Sequence, residues 1–436
     1  MKKLAWIGII VLALVILILA AAGVTKALFG GRYQAEIAAI RAKGEPVTPA
    51  ELMGNPIPPA ENAALVYEQA FLALDDPALE PQGKVLFTLD MRTADPAKWR
   101  EAEQALTRYD NVLALTDQAA SMPRCGFEID WSSDQTALFP PYLSKMRSLA
   151  RIQHIRARIS ARNGNMAQAI DDIDTMFRMA KSMEDQPLII HQLVRIAVMS
   201  MATKAIEDAI RYGNITEEQA RRLFETAGDI DIAQAFKRAW QGERVYVIHW
   251  YSPERFAQMA TSGGTGSVPK PVAGGLVSLY SKTFMRGDLA VYLGIFARQV
   301  DGVQLSFRQA KTSGLFHEPV TPFYAVLSKA GIASVMGPTR YSAEEKLART
   351  QVFLALQAYK DRFGGYPSSI QELKTKLGWK LPKDPFSEKD FIYKRQAKGF
   401  ILYSVGPDMK DDGGRAITDH HVKVDSKGDI VLKWDK

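Results

Sequence analysis

The densest group of side chains able to do chemistry lies near the end of the 436-residue chain, where Asp408, Asp411 and Asp412 fall close together. Gly413 and Gly414 follow and permit a tight turn. Loop carboxylates and backbone carbonyls at such a turn can supply the oxygens, about six to eight, that a hard cation such as Ca²⁺ takes. The run Asp408-Met409-Lys410-Asp411-Asp412-Gly413 lacks the alternating spacing of an EF-hand. The simpler reading of the same residues is a solvated Asp-Gly turn. A calcium ion here would order a loop and perform no catalysis. Asp419 and Asp425 are weaker candidates for the same role.

Other reactive types are scattered. His420 and His421 beside Asp419 suggest a transition metal, but adjacent residues on a strand point to opposite faces and rarely serve one ion. His154, His191, His249 and His317 stand singly, and no H-E-x-x-H motif occurs. Cys125 is the only cysteine, which excludes an intrachain disulfide and any multi-cysteine metal site. It has no local catalytic pattern, and no G-x-S-x-G nucleophile elbow is present. Gly263 to Lys270 lacks the G-K-[ST] ending of a phosphate loop and reads as a flexible linker. Arg147, Arg151, Arg158 and Arg162 share one helix face. That face would suit an anionic partner such as lipid headgroups or a cell-wall polymer, or be a solvated stripe paired with Asp171, Asp172 and Asp174. The nearby methionines, Met176 to Met201, read as core filler.

These residues need elements to position them. The composition, 47% hydrophobic and 24% charged, is that of a folded protein. The net charge of +7 is spread thinly and does not point to nucleic acid. Leu4 to Val24 is uncharged and would span about 30 Å as a helix, the thickness of a bilayer's hydrocarbon. Lys2 and Lys3 before it favour a cytoplasmic N-terminus. A signal peptide cut before Gly23 is the competing reading, and either one exports the remainder. The expectation is a transmembrane anchor over 1–26, a Pro-rich connector over 27–59 and an irregular helical domain over 60–340. Within that domain, helices are expected over Tyr142–Asn163, Met166–Met183, Pro187–Tyr212 and from Thr216. The stretches Asp75–Asp95 and Met122–Pro141 read as irregular crossings. No 34-residue repeat is found.

Residues 341–436 form a separate pattern. Ser342-Ala343-Glu344-Glu345 reads as a capping box opening a helix to Phe363. Short β-like runs follow at Phe391–Arg395, Phe400–Val405, His421–Val424 and Asp429–Trp434. The order of landmarks is specific: the helix, Gly365-Tyr366-Pro367, Asp384-Pro385, a hairpin, then Ser404-Val405-Gly406-Pro407-Asp408. This tail resembles the C-terminal domain of the major pseudopilin of type II secretion. The resemblance implies a small antiparallel sheet packed on the helix and a calcium-binding loop. It adds Asp429 to Asp408, Asp411 and Asp412 as a metal ligand, because Asp429 matches the acidic residue before that family's last strand. The apolar N-terminal run holds no acidic residue such as that family carries there. The stretch Gly44 to Ala64 is similar to uncharacterised membrane-anchored bacterial proteins.

Together these readings describe a mainly α protein with an N-terminal transmembrane helix and a small α+β tail. The expected role is scaffolding or binding at the bacterial envelope, with a secretion-type assembly as the expected setting, and with a calcium-stabilised C-terminal domain. The expected location is the inner membrane, single-pass, with the bulk extracytoplasmic. The expected partners are the membrane, through the N-terminal helix, and other envelope proteins; the expected cofactor is a structural calcium ion. Two alternatives compete: an exported hydrolase using Glu243 or His249, and an atypical pseudopilus subunit.

Overall fold

The computed structural model describes residues 23–24, 27–88, 95–131, 140–251, 280–317, 321–322, 338–419 and 421–436. It divides into two compact units that do not follow chain order. One comprises 1–54, 240–302 and 317–335; the other comprises 55–239, 303–316 and 336–436.

In the first unit, helices α1 (27–42), α2 (Pro49–Met53) and α12 (Met285–Gly302) pack with the end of α11 (Ile232–Trp250). Ile40, Val47 and Leu293 form its small core. The connector is not simply extended, because Thr48 caps α2 through its side chain and Pro49 occupies the first helical position. Arg244 is fully buried, and its guanidinium donates to Glu45 at 2.7 Å and to the Pro46 carbonyl at 3.3 Å.

The second unit begins with α3 (Ala63–Leu74), α4 (Glu80–Thr88), α5 (Pro96–Leu106) and α6 (Asp110–Ser121). Helix α4 lies in the stretch that reads as irregular. Pro81 and Gly83 hide it, yet Pro is tolerated in a first turn. An added Cβ at Gly83 would sit 3.0 Å from the Tyr109 hydroxyl, a tight approach. Three long helices follow: α7 (Tyr142–Arg162), α8 (Met166–Ser182) and α9 (Ile189–Tyr212). Gly164, at φ +82°, turns the chain between the first two, and the Asn165 side chain caps α8. Thr216 and Gln219 form the expected capping box at the start of α10 (Glu217–Gly228).

Helix α9 corrects the expected membrane topology. Among the described residues it is the helix long and apolar enough to cross a bilayer, and it lies mid-chain rather than at the N-terminus. Residues 4–22 of the expected span lie outside the described residues. The fold class is therefore mainly helical with a small C-terminal antiparallel sheet, and membrane contact through an N-terminal helix is withdrawn with the topology. Helix α9 is also largely enclosed by protein, with 61% of its apolar window buried. Its buried Arg195 donates to the Ala180 carbonyl at 2.9 Å, and its Asp208 accepts from Lys204 and faces His154.

The tail is built around α14 (Thr339–Phe363). The helix starts one turn earlier than expected, so Ser342 lies inside it rather than capping it, and its hydroxyl is buried without a partner. Glu344 and Glu345 instead pair along the helix with Arg340 and Arg349, each at 2.6 Å. From Thr350 to Tyr359 every residue is buried. One side meets α10, where Gln351 donates to the Phe224 carbonyl at 3.0 Å. The other meets the sheet, where Phe353 lies edge-on to Trp434, with ring centroids 4.9 Å apart.

That sheet has order β1-β2-β3, all antiparallel: β1 (Ile392–Arg395), β2 (Phe400–Ser404) and β3 (Ile430–Trp434). Phe400 pairs with Arg395 and Trp434, and Ser404 with Ile430. Residues 421–424 form no strand, because the Lys423 amide turns back to the Ser426 hydroxyl at 2.8 Å. Tyr366, from the Gly-Tyr-Pro turn, accepts from the Trp434 indole at 3.0 Å and donates to the Lys436 carbonyl at 2.9 Å. Gly399 must be glycine: its φ is +76°, and a Cβ there would collide with the Trp434 carbonyl. The short helix α13 (Phe307–Thr312) also belongs to this core, with Phe307 and Ala310 against Tyr341, Phe386 and Val405.

Phe353 is 1% exposed and fills the helix–sheet interface. Phe353→Ala is expected to destabilise the second unit by about 3–5 kcal/mol, seen as a lower urea midpoint at unchanged slope.

Candidate functional site

The acidic loop leaves β2 through a buried tie. The Ser404 hydroxyl donates to Asp384 at 2.7 Å and accepts from the Gly406 amide at 3.1 Å. Asp384, 1% exposed, also accepts from the Phe386 amide at 3.1 Å and the Ser387 hydroxyl at 2.7 Å. The Asp-Pro turn and the Ser-x-Gly-x-Asp loop are thus one hydrogen-bonded corner. Asp384 escaped the sequence reading as a site residue, although its turn was one of the landmarks.

Beyond that corner the four candidate ligands are placed separately. Asp429 is fully buried, and its two carboxylate oxygens accept from the Asp412 amide at 3.3 Å and the Gly414 amide at 2.7 Å. Burial, with Asp411 and Asp412 nearby, raises its carboxyl above the usual range. Asp411 accepts from the Tyr403 hydroxyl at 3.0 Å and the Gly413 amide at 2.8 Å. Asp412 pairs with Arg415 at 3.0 Å, and Asp408 accepts from the Lys410 amide at 3.1 Å. Asp419 accepts from the Ser426 hydroxyl at 2.5 Å.

Among the described residues, no group of three or more His, Cys, Asp or Glu side chains is placed to hold a metal ion. The N–H groups of Asp412 and Gly414 present their positive ends to the Asp429 carboxylate. His420 lies outside the described residues, and His421 is exposed.

The helical layers hold a second concentration of charge. Arg156 on α7 donates to Asp172 on α8 at 2.7 Å and to both oxygens of Asp117 on α6 at 2.9 and 3.0 Å. Gln153 donates to Asp117 at 2.7 Å, and Gln168 to Asp172 at 2.8 Å. Asp174 takes Arg178 and Arg222, at 3.0 and 2.8 Å. The expected pairing of these acids with the arginine stripe is therefore replaced by Arg156, Arg178 and Arg222. The stripe itself is divided. Arg151 covers the Phe87 ring, Arg162 covers the Trp99 ring, Arg158 lies 3.6 Å from Asp208, and Arg147 is exposed.

The hydrolase alternative rests on Glu243 and His249. Glu243 is buried, while His249 is half-buried and edge-on to Trp250, with centroids 6.0 Å apart. Their spacing of six positions places them on different sides of α11.

Asp172 has one carboxylate oxygen without a partner, and burial outweighs Arg156 to push its pKa up to about 7. A carboxyl raised on folding costs nothing below about pH 4, where both states are protonated, and costs most once pH passes the folded value. Asp172→Asn is therefore expected to gain in melting temperature relative to the parent as pH rises from about 4 to about 8. Melts across that range check the slope; a difference independent of pH would contradict it.

Cys125 is buried, and its thiol is pushed up to about 12 by burial. It is expected to resist a thiol-specific reagent at pH 8 in the native chain and to react fully in denaturant.

No protein-family model, curated protein or solved structure matches this chain.

Proposed function

We propose that the chain is a non-catalytic scaffolding or binding protein of the bacterial envelope, with its bulk outside the cytoplasm and a pseudopilin-like C-terminal part. The observation that carries this reading is the double packing of α14, against α10 on one side and the sheet on the other. That packing makes the tail continuous with the helical layers, as a load-transmitting part would be, and unlike a domain swinging on a linker. The pairing of Arg156 with Asp117 and Asp172, and of Asp174 with Arg178 and Arg222, supports it, since these charges serve structure. The exported location rests on the resemblance of the tail to a family that works outside the cytoplasm.

Two fusions test the location. Alkaline phosphatase joined after Lys436 is expected to be active and β-galactosidase at the same point inactive; the reverse result would overturn it. Complementation tests the role: Glu243→Gln is expected to restore a deletion strain as well as the parent gene does. Loss of complementation by a stably expressed Glu243→Gln protein would favour the hydrolase.

A further inference from the structure

We propose that Lys311 is the built-in cation of the acidic loop, so that α13 orders this loop in place of a bound calcium ion. The Lys311 ammonium donates to the Pro407 carbonyl at 2.8 Å and to the Val424 carbonyl at 3.0 Å. These carbonyls stand near the beginning and the end of the loop, so one cation closes it. The ammonium also lies 5.7 Å from the centre of the Phe307 ring. An ammonium has three donors and no acceptor, and two carbonyls with an aromatic face make a reasonable shell for it.

The lysine is held in place by its helix. Ser306 and Gln309 form a capping box at the start of α13. Phe307 is fully buried edge-on to Phe386, with centroids 4.7 Å apart, and edge-on to Tyr341 at 5.2 Å. The Tyr341 hydroxyl donates to the Leu305 carbonyl at 2.8 Å, and Arg340 donates to the Val303 carbonyl at 2.6 Å. The segment before the tail is thereby fastened to the first turn of α14, with Lys311 directed at the loop.

The carboxylates complete the argument. Asp429 is satisfied by two amides, Asp411 by a hydroxyl and an amide, and Asp412 by Arg415. Calcium drawing on Pro407 or Val424 would have to displace the ammonium or share its oxygens against like-charge repulsion. Two carbonyl oxygens of the loop, of the kind a divalent ion would draw on, are thus held by a monovalent cation from the same chain.

The test uses the full chain: parent, Lys311→Met, Lys311→Arg and Asp412→Ala, each melted with millimolar calcium and with excess chelator. Amide exchange of the loop is followed by mass spectrometry. The parent is expected to melt at one temperature in both solutions. Lys311→Met is expected to melt several degrees lower and to exchange its loop amides about tenfold faster. Lys311→Arg, which keeps the charge, should recover part of the loss. A parent melt raised several degrees by calcium, with the rise removed by Asp412→Ala, would overturn the proposal in favour of a metal site. A Lys311→Met chain with parental melt and loop exchange would overturn it too. If Lys311→Met does not fold, the parent's response to calcium and the loop exchange of Lys311→Arg still decide.

Discussion

The second unit depends on a helix buried on two sides. A surface helix carries one apolar stripe and turns its remaining face to water. Helix α14 has no such freedom between Thr350 and Tyr359, where α10 takes one side and the sheet the other. Its polar residues must therefore find partners inside the protein. Gln351 reaches a backbone carbonyl of α10, and Tyr359 donates to Glu372 at 2.5 Å. Glu345 is 1% exposed, and burial raises its carboxyl even with Arg349 beside it. Removing either neighbour of α14 would leave such groups without water or partner, which ties the fate of the sheet to that of the helical layers.

The same constraint explains what could be read in advance. Signals that act within a few residues were legible: Gly164 after α7, and Thr216 with Gln219 before α10. The alternating runs of β1, β2 and β3 were legible as well, to within a residue. The start of α14 was not. Ser342-Ala343-Glu344-Glu345 has the residues of a capping box, but contacts of Arg340 and Tyr341 with Val303 and Leu305 extend the helix past it. Length and apolarity also could not separate a helix enclosed by protein from one enclosed by lipid, and α9 passes both tests.

The candidate site shows the limit more sharply. That Asp408, Asp411 and Asp412 share one loop follows from spacing alone, while Asp429 joined them only through the resemblance of the tail. What ties the loop down does not follow from spacing, because Lys311, which donates to its Pro407 and Val424 carbonyls, stands far away in sequence and carries no motif. Arg156 is a similar case: it lies off the face of the arginine stripe, and only the packing of α6, α7 and α8 brings Asp117 and Asp172 to it. A charge's type is local information, while its partner is decided by the whole fold.

The burial of Cys125 has a practical side. With the one native sulfhydryl enclosed, the surface is chemically silent to maleimides and similar labels. A cysteine introduced at any exposed position would then carry a fluorophore or spin label without competition. Distances between the two units could thus be followed in the otherwise native chain, and the arrangement of the whole protein mapped one pair of labels at a time.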